Sequence, residues 1–259
     1  MICEIKPGEK AASLFGNWEE TLIWSCLQGV MGHIYGDSAE MPASAMALLG
    51  DFCFLAGEPD KELVMYKPEQ CIQDFVIMVP QDEAWGVLIE ECYQKKARKV
   101  FRYAIKKEPE AFGGRVASAH LQAAVDRLPE GYELKMMDEA LFRRCRDISW
   151  CRDWVSQYDD YGMYCRYGLG AVILRDGEPV SGASSYSGYF GGIEIEIDTR
   201  EDYRRKGLAT VCGAKLILEC LRKGWYPSWD AQNLWSVALA EKLGYHFDHK
   251  YIAYEIQGW

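Results

Sequence analysis

The stretch Arg204-Arg-Lys-Gly-Leu-Ala209 carries the most specific chemistry in this chain. It lies between a strand pattern and an amphipathic helical pattern, so its backbone amides open a helix N-terminus. Such amides have no intrahelical acceptor and carry about half a positive charge from the helix dipole, which suits a pyrophosphate. Gly207 lets the backbone approach that anion closely, and Arg204, Arg205 and Lys206 add positive charge. A basic turn before a helix is also simply a solvated turn, so the neighbouring residues have to decide. Just upstream, Ile193-Glu-Ile-Glu-Ile197 alternates strictly and places Glu194 and Glu196 on one face of a strand. An exposed amphipathic strand shows the same alternation. Residues 149–167, SWCRDWVSQYDDYGMYCRY, combine aromatic rings with Asp153, Asp159 and Asp160. Ring faces and carboxylates together suit a cationic amine, and they equally suit a half-buried loop packed on its surroundings.

Other constellations fall away. Neither G-x-G-x-x-G nor G-x-x-x-x-G-K-[ST] occurs, which excludes a Rossmann or P-loop nucleotide site. There is no G-x-S-x-G esterase elbow, and without C-x-x-C or H-E-x-x-H a zinc site has no support, so no metal is expected. His246 and His249 are three apart in a strand pattern and face opposite sides.

The elements that must position these residues read clearly in the second half. Gly170–Arg175 is an apolar run closed by the turn signal Asp176-Gly177, followed by the small-residue strand Ser181–Tyr189. After the basic loop, Ala209, Cys212, Gly213, Leu216, Ile217, Cys220 and Leu221 recur at helical spacing, and Arg222, Lys223 and Gly224 stop the helix. Tyr226–Asp230 reads as a short strand, Asn233 as the N-cap of a helix ended by Gly244, and Phe247–Ile256 as a closing strand. The first half repeats this order. Asn17 and Glu20 resemble a capping box, Ser44–Leu49, Asp51–Ala56 and Phe75–Val79 are strands, and Asp82 caps a helix. Val100–Ile105, Val116–Leu128 and Tyr132–Met136 follow as strand, helix and strand, after a Gly113-Gly114 turn. The expected organisation is two structurally related halves, 1–132 and 133–259, without a low-complexity linker. At the corresponding helix start of the first half, Asp82 and Glu83 place negative charge where a phosphate would be repelled, so no second cofactor site is expected there.

Composition agrees with a folded chain and narrows its partners. Of 259 residues, 49% are hydrophobic and 26% charged, enough to bury a sizeable core. Lys+Arg 29 against Asp+Glu 39 leaves −10, which argues against nucleic acid or an anionic membrane as partner. The opening MICEIKPGEK lacks the basic and apolar regions of a secretory signal, and no apolar run approaches a membrane span. Ten scattered cysteines are then expected as reduced, small hydrophobes in a cytoplasmic protein.

Arg204-x-x-Gly207-x-Ala209 after a strand resembles the acetyl-CoA pyrophosphate loop of the GNAT acetyltransferases. Asp198-Thr199, Trp229-Asp230, Asn233-x-x-Ser236 and Leu239-Ala-Glu-Lys-Leu-Gly-Tyr245 are similar to the branch that includes zwittermicin-resistance acetyltransferases. The resemblance implies an α+β fold: a mixed, mostly antiparallel GNAT-type sheet flanked by helices, preceded by a degenerate GNAT-like N-terminal half. It implies an N-acetyltransferase that moves acetyl from acetyl-CoA to a primary amine of a small molecule; a CoA-binding regulatory module with impaired catalysis is the alternative. Oligomeric state stays open.

Carried over, the resemblance gives the amides of Arg204, Arg205, Lys206, Gly207, Leu208, Ala209 and Thr210 to the pyrophosphate. The strand ending in Ile197, Asp198 and Thr199 would pair with the pantetheine arm, and Asn233 with nearby Ser236 would reach it from the last helix. Glu196, nearer the cofactor end of the strand, is the expected general base, with Glu194 as the other carboxylate. Amides of the same strand would stabilise the developing oxyanion. Many members carry a tyrosine acid four residues before the glycine ending the last helix, where this chain has Ala240. Tyr245 or Ser236 would have to substitute, or the thiolate leaves without an assigned acid. Trp154, Asp159, Asp160 and Tyr164 fall in the acceptor wall.

Overall fold

The computed structural model describes residues 1–112 and 114–259, so Gly113 of the expected glycine turn lies outside the described residues. Contacts divide the chain into two compact units, Met1–Arg102 with Lys250–Trp259, and Tyr103–His249.

The first unit holds five short strands: β1 (Cys3–Glu4), β2 (His33–Gly36), β3 (Ser44–Leu49), β4 (Phe52–Gly57) and β5 (Phe75–Pro80), with a tight turn joining β3 to β4. They lie in that order, antiparallel except for the parallel pair β4–β5, and the chain's last strand adds Tyr254–Gln257 antiparallel to β5. Around them are α1 (Ala12–Phe15), α2 (Thr21–Leu27), α3 (Lys61–Val64) and α4 (Glu83–Tyr93). As expected, Asp82 caps α4, accepting from Trp85 N at 3.1 Å, and the helix buries Trp85 and Ile89 against Met46, Leu55 and Met78. The expected helix start at Asn17 moves to Thr21, where Glu20 itself is the cap and accepts from Leu22 N.

The second unit repeats the strand order with longer elements. Strand β6 (Ala97–Ile105) leads into it, followed by α5 (Arg115–Val125), β7 (Tyr132–Met136), α6 (Glu139–Asp147) and a 3₁₀ turn at Ser149–Trp154. Then come α7 (Tyr161–Tyr167), β8 (Gly170–Arg175), β9 (Glu178–Tyr189), β10 (Gly192–Thr199), α8 (Leu208–Lys223), β11 (Tyr226–Ser228), β12 (Asp230–Ala231), α9 (Leu234–Lys242) and β13 (Phe247–Gln257). The sheet β7-β8-β9-β10-β11 is antiparallel except for the parallel pair β10–β11, the same succession as β1 to β5. The β8–β9 hairpin turns on Asp176 and Gly177 at φ 52° and 80°, the mirror-image turn that matches strand twist. Helix α8 buries Leu208, Val211, Cys212, Leu216 and Ile217 on Ile173, Val180, Ile193 and Ile195.

The compact units do not divide at the expected seam of 132/133. The reason is α5, whose Leu121 and Ala124 share the buried cluster of α8, so the stretch before β7 belongs to the second unit. The amphipathic pattern of α5 is local in the sequence, whereas the surface it covers comes from distant residues. The expected strand Tyr226–Asp230 is also two: β11 pairs with β10, whereas Asp230 and Ala231 pair with Ala104 and Tyr103 of β6.

Candidate active site

The basic loop has the conformation its sequence suggests. Arg205 at φ 61° and Gly207 at φ 80° both adopt the left-handed region, and Gly207 is the N-cap of α8. A side chain at 207 would meet nothing within 4 Å, so glycine is required there for conformation and leaves the loop's outer side clear. Arg204 N is bonded to Glu201 O (3.2 Å) and Thr210 N to Gly207 O (3.1 Å). Between them, the amides of Arg205, Lys206, Gly207, Leu208 and Ala209 have no main-chain acceptor among the described residues. Leu208, buried in the core, pins this fan of donors to the body of the unit. Arg204, Arg205 and Lys206 are exposed, and Lys206 Nζ lies 4.4 Å from the Tyr203 ring centre. This arrangement fits a pyrophosphate: five donors at a helix start, cations around them and no side chain in the way.

Ahead of the loop, the sheet forks. Strand β10 pairs with β11 only through Gly192–Tyr226, Ile193–Pro227 and Glu194–Ser228; from Ile195 on, no strand covers that side among the described residues. A bulge between Glu194 and Ile195, where β9 spends one extra residue, bends β10 at this point. Beyond Ser228 the chain turns off to β12. The open edge over Ile195–Thr199 can accept an extended ligand as an added strand, which fits a pantetheine arm. At the head of α9, Asn233 Oδ1 accepts from Ser236 N (3.0 Å), and Ser236 Oγ accepts from Trp229 Nε1 (3.1 Å). The capping role of Asn233 is therefore real; its Nδ2 has no partner among the described residues and remains available to a ligand.

Alternation sorts β10 into two faces. Ile193 and Ile195 are in the core with α8, and Ile197 packs on that cluster at its edge. Glu194, Glu196 and Asp198 take the other face, Glu194 buried and the other two half-buried. Asp198 hydrogen-bonds Glu196, and burial, with Asp153 nearby, pushes its carboxyl up to about 6. Asp198, expected on the cofactor arm through its place in the strand, has its side chain in this carboxyl pair. The i, i+2 period that flagged Glu194 and Glu196 runs on to Asp198 and was the signal for it. Thr199 Oγ1 is engaged with Ser181 Oγ at 2.7 Å.

Several expected contacts turn out to have structural roles. Trp154 is fully buried, its ring lying over Gly182, opposite Asp198. Tyr164 is buried with its hydroxyl 2.8 Å from Ser184 Oγ. Asp160 is the N-cap of α7, accepting from Met163 N at 2.7 Å, and Asp159 is exposed with its carbonyl held by Arg146. From the same segment, Asp153 lies close enough to act on the Asp198 carboxyl. Tyr245 is the clearest correction. It is 3% exposed between Phe112 and Trp229, its hydroxyl donates to Pro227 O at 2.6 Å, and burial holds it well above its usual value. A phenol so placed is no proton donor to a departing thiolate.

No helix is long and apolar enough to cross a membrane among the described residues. The model of the family described as GNAT acetyltransferase matches residues 12–254. A GCN5-related N-acetyltransferase-like protein from Streptococcus suis 89/1591, whose crystal structure is known, is 49% identical with a TM-score of 0.89, over 97% of this chain and 99% of that one. An uncharacterized N-acetyltransferase from Bacillus subtilis (strain 168), YdfB, is 25% identical over 90% of this chain and 89% of its own length. A tandem GNAT protein from the clavulanic acid biosynthesis pathway, 11% identical over 100% of this chain and 99% of its own with a TM-score of 0.50, shares the fold. With the family match spanning both units, the chain belongs to the GNAT acetyltransferase family.

Proposed function

We propose that this enzyme transfers acetyl from acetyl-CoA to a primary amine of a small molecule, with the second unit holding both substrates. The observation that carries this reading is the fork: an open strand edge, five free amides at one end of it and a carboxyl pair on its polar face. The cofactor would be held by the amides of Arg205–Ala209, the Ile195–Thr199 edge and Asn233 Nδ2, and it supplies acetyl as an activated thioester. The chain's own part is proton handling and charge. An alkyl amine with a pKa near 10.4 is cationic at neutral pH and must lose a proton before it attacks. Asp153, Glu196 and Asp198 give the polar face a negative potential that draws the cation. Glu196, sharing a hydrogen bond with Asp198, then takes the proton. No side chain is assigned to protonate the departing thiolate, since Tyr245 is engaged elsewhere.

The segments Asp198-Thr199, Trp229-Asp230, Asn233-x-x-Ser236 and Leu239–Tyr245 support a place in the branch of zwittermicin-resistance acetyltransferases. The first unit reads as a GNAT-like half without cofactor function. Its counterpart of α8 is α3, a single turn whose N-terminus is closed by the Asp60 side chain, with Glu58 and Glu62 beside it.

Thiol release from acetyl-CoA across a panel of small primary amines tests the proposal, with thermal stabilisation by CoA measured alongside. Turnover with at least one amine supports it. Stabilisation by CoA without thiol release for any amine favours a CoA-holding regulatory module instead.

A further inference from the structure

One rung of the sheet in the second unit holds three polar side chains that the reading above leaves idle. Glu194 stands in register with Ser187 of β9 on one side and Ser228 of β11 on the other. Side chains of laterally paired residues leave the same face of a sheet, so all three share the polar face at the last rung before β10 and β11 part. All three are buried: Glu194 is 5% exposed, Ser187 0% and Ser228 1%.

The two hydroxyls are unlike their neighbours. Ser184 Oγ bonds the Trp154 carbonyl at 2.7 Å, Ser185 Oγ bonds Tyr158 Oη at 2.8 Å, and Ser181 Oγ bonds Thr199. Ser187 Oγ and Ser228 Oγ make no hydrogen bond among the described residues. Buried polar groups in folded proteins are paired with protein or ordered water, and an unpaired one calls for an explanation. Here the two orphans flank one buried carboxylate, an acceptor with room for several donors.

We propose that Ser187 and Ser228 are positioning residues for Glu194: their hydroxyls donate to its carboxylate, through one ordered water where the strands hold them too far apart for direct contact. Held this way, Glu194 is a fixed negative charge at the fork that draws the acceptor's ammonium to the rung beside Glu196. The attraction rests on the acetyl-transfer reading above; the hydrogen bonding does not. Glu194 interacts electrostatically with the phenols of Tyr189 and Tyr245, while Glu196 and Asp198 follow it on the polar face of β10 and Asp153 acts on Asp198. Burial keeps both phenols neutral well past physiological pH, so they leave the Glu194 titration undisturbed there.

The first test needs no acceptor. The carboxyl carbons of ¹³C-glutamate-labelled protein are titrated by NMR, and the Glu194 signal is assigned by its loss in Glu194→Gln. Donors to the charged form hold a carboxylate's midpoint down, so Ser187→Ala and Ser228→Ala should each move it up by about one pH unit. Ser228→Thr, which keeps the hydroxyl, should restore it. Midpoints that stay put in both alanine variants overturn the proposal. The second test uses any amine the wild type acetylates: the pH below which the amine KM rises should move up by about one unit in each alanine variant, with kcat within about twofold. A shifted midpoint with an unchanged pH profile of KM overturns the steering role. A wild type that acetylates no amine would overturn the acetyl-transfer reading, while the NMR titration still decides the serines.

Discussion

Asp198 and Glu196, two residues apart on the polar face of β10, share a hydrogen bond, and the Asp198 carboxyl is lifted to about 6 by burial and by Asp153. A carboxyl pair poised there changes charge within the range where a general base is useful. Turnover is expected to rise with pH through about 6 as the pair loses its last proton. Glu196→Gln should lower kcat about 10²-fold with CoA affinity unchanged, and the deficit should shrink at high pH, where free amine is already present. Asp198→Asn should erase the limb near 6. Full activity of Glu196→Gln at pH 7 alongside an inactive Glu194→Gln would exchange the roles of the two glutamates.

The same pair bears on stability. Asp198 has a folded value above that of an unfolded aspartate, near 3.9, so the folded state holds its proton more tightly. That contribution is fully present below about 4 and is lost as pH rises through about 6, above which a buried charge weighs on the fold. Asp198→Asn removes the charge. Calorimetry should give it a higher Tm than wild type at pH 8, by a few degrees, and no advantage at pH 4.

Gly207 separates conformation from charge. Gly207→Ala meets no neighbour but must hold φ 80°, so it should cost about 1 kcal/mol of stability and leave CoA affinity within a few-fold. Gly207→Asp adds a negative charge beside the five free amides and should weaken CoA binding at least about tenfold, roughly the worth of one misplaced charge. Titration calorimetry on both variants checks this; equal affinities would remove the loop from the cofactor site.

Tyr245→Phe deletes only a hydroxyl that donates to Pro227 O. Its expected effect is structural: about 1 kcal/mol of stability, with kcat within about twofold of wild type. A loss of kcat near a hundredfold, with folding intact by circular dichroism, would return the phenol to the chemistry.

One CoA per chain is expected by calorimetry. In the first unit the loop after β4 leads into the four-residue α3, and Asp60 already accepts from the Glu62 amide at 2.7 Å. Glu58, Asp60 and Glu62 put three carboxylates where an anion would have to dock. The sequence suggested the start of α4, at Asp82, as the place to look; the strand order puts the counterpart of α8 after β4 instead. A stoichiometry of two would contradict this.

What the sequence alone determined is what short-range physics sets. The alternation at 193–197, the glycine and cations of 204–209, the helical spacing after them and the caps at Asp82 and Asn233 each depend on a few neighbouring residues, and each is found in place. Lateral relations were decided only by the tertiary structure. Register across three strands aligns Ser187, Glu194 and Ser228, residues 41 positions apart at the extremes, and no local pattern encodes that rung. Burial put the rings of Trp154, Tyr164 and Tyr245 into the packing and raised the Asp198 carboxyl, because whether a ring or a carboxyl faces solvent depends on what folds over it. The boundary of the second unit moved for the same reason: the apolar side of α5 is visible in the sequence, but α8, the surface it covers, lies about ninety residues further on.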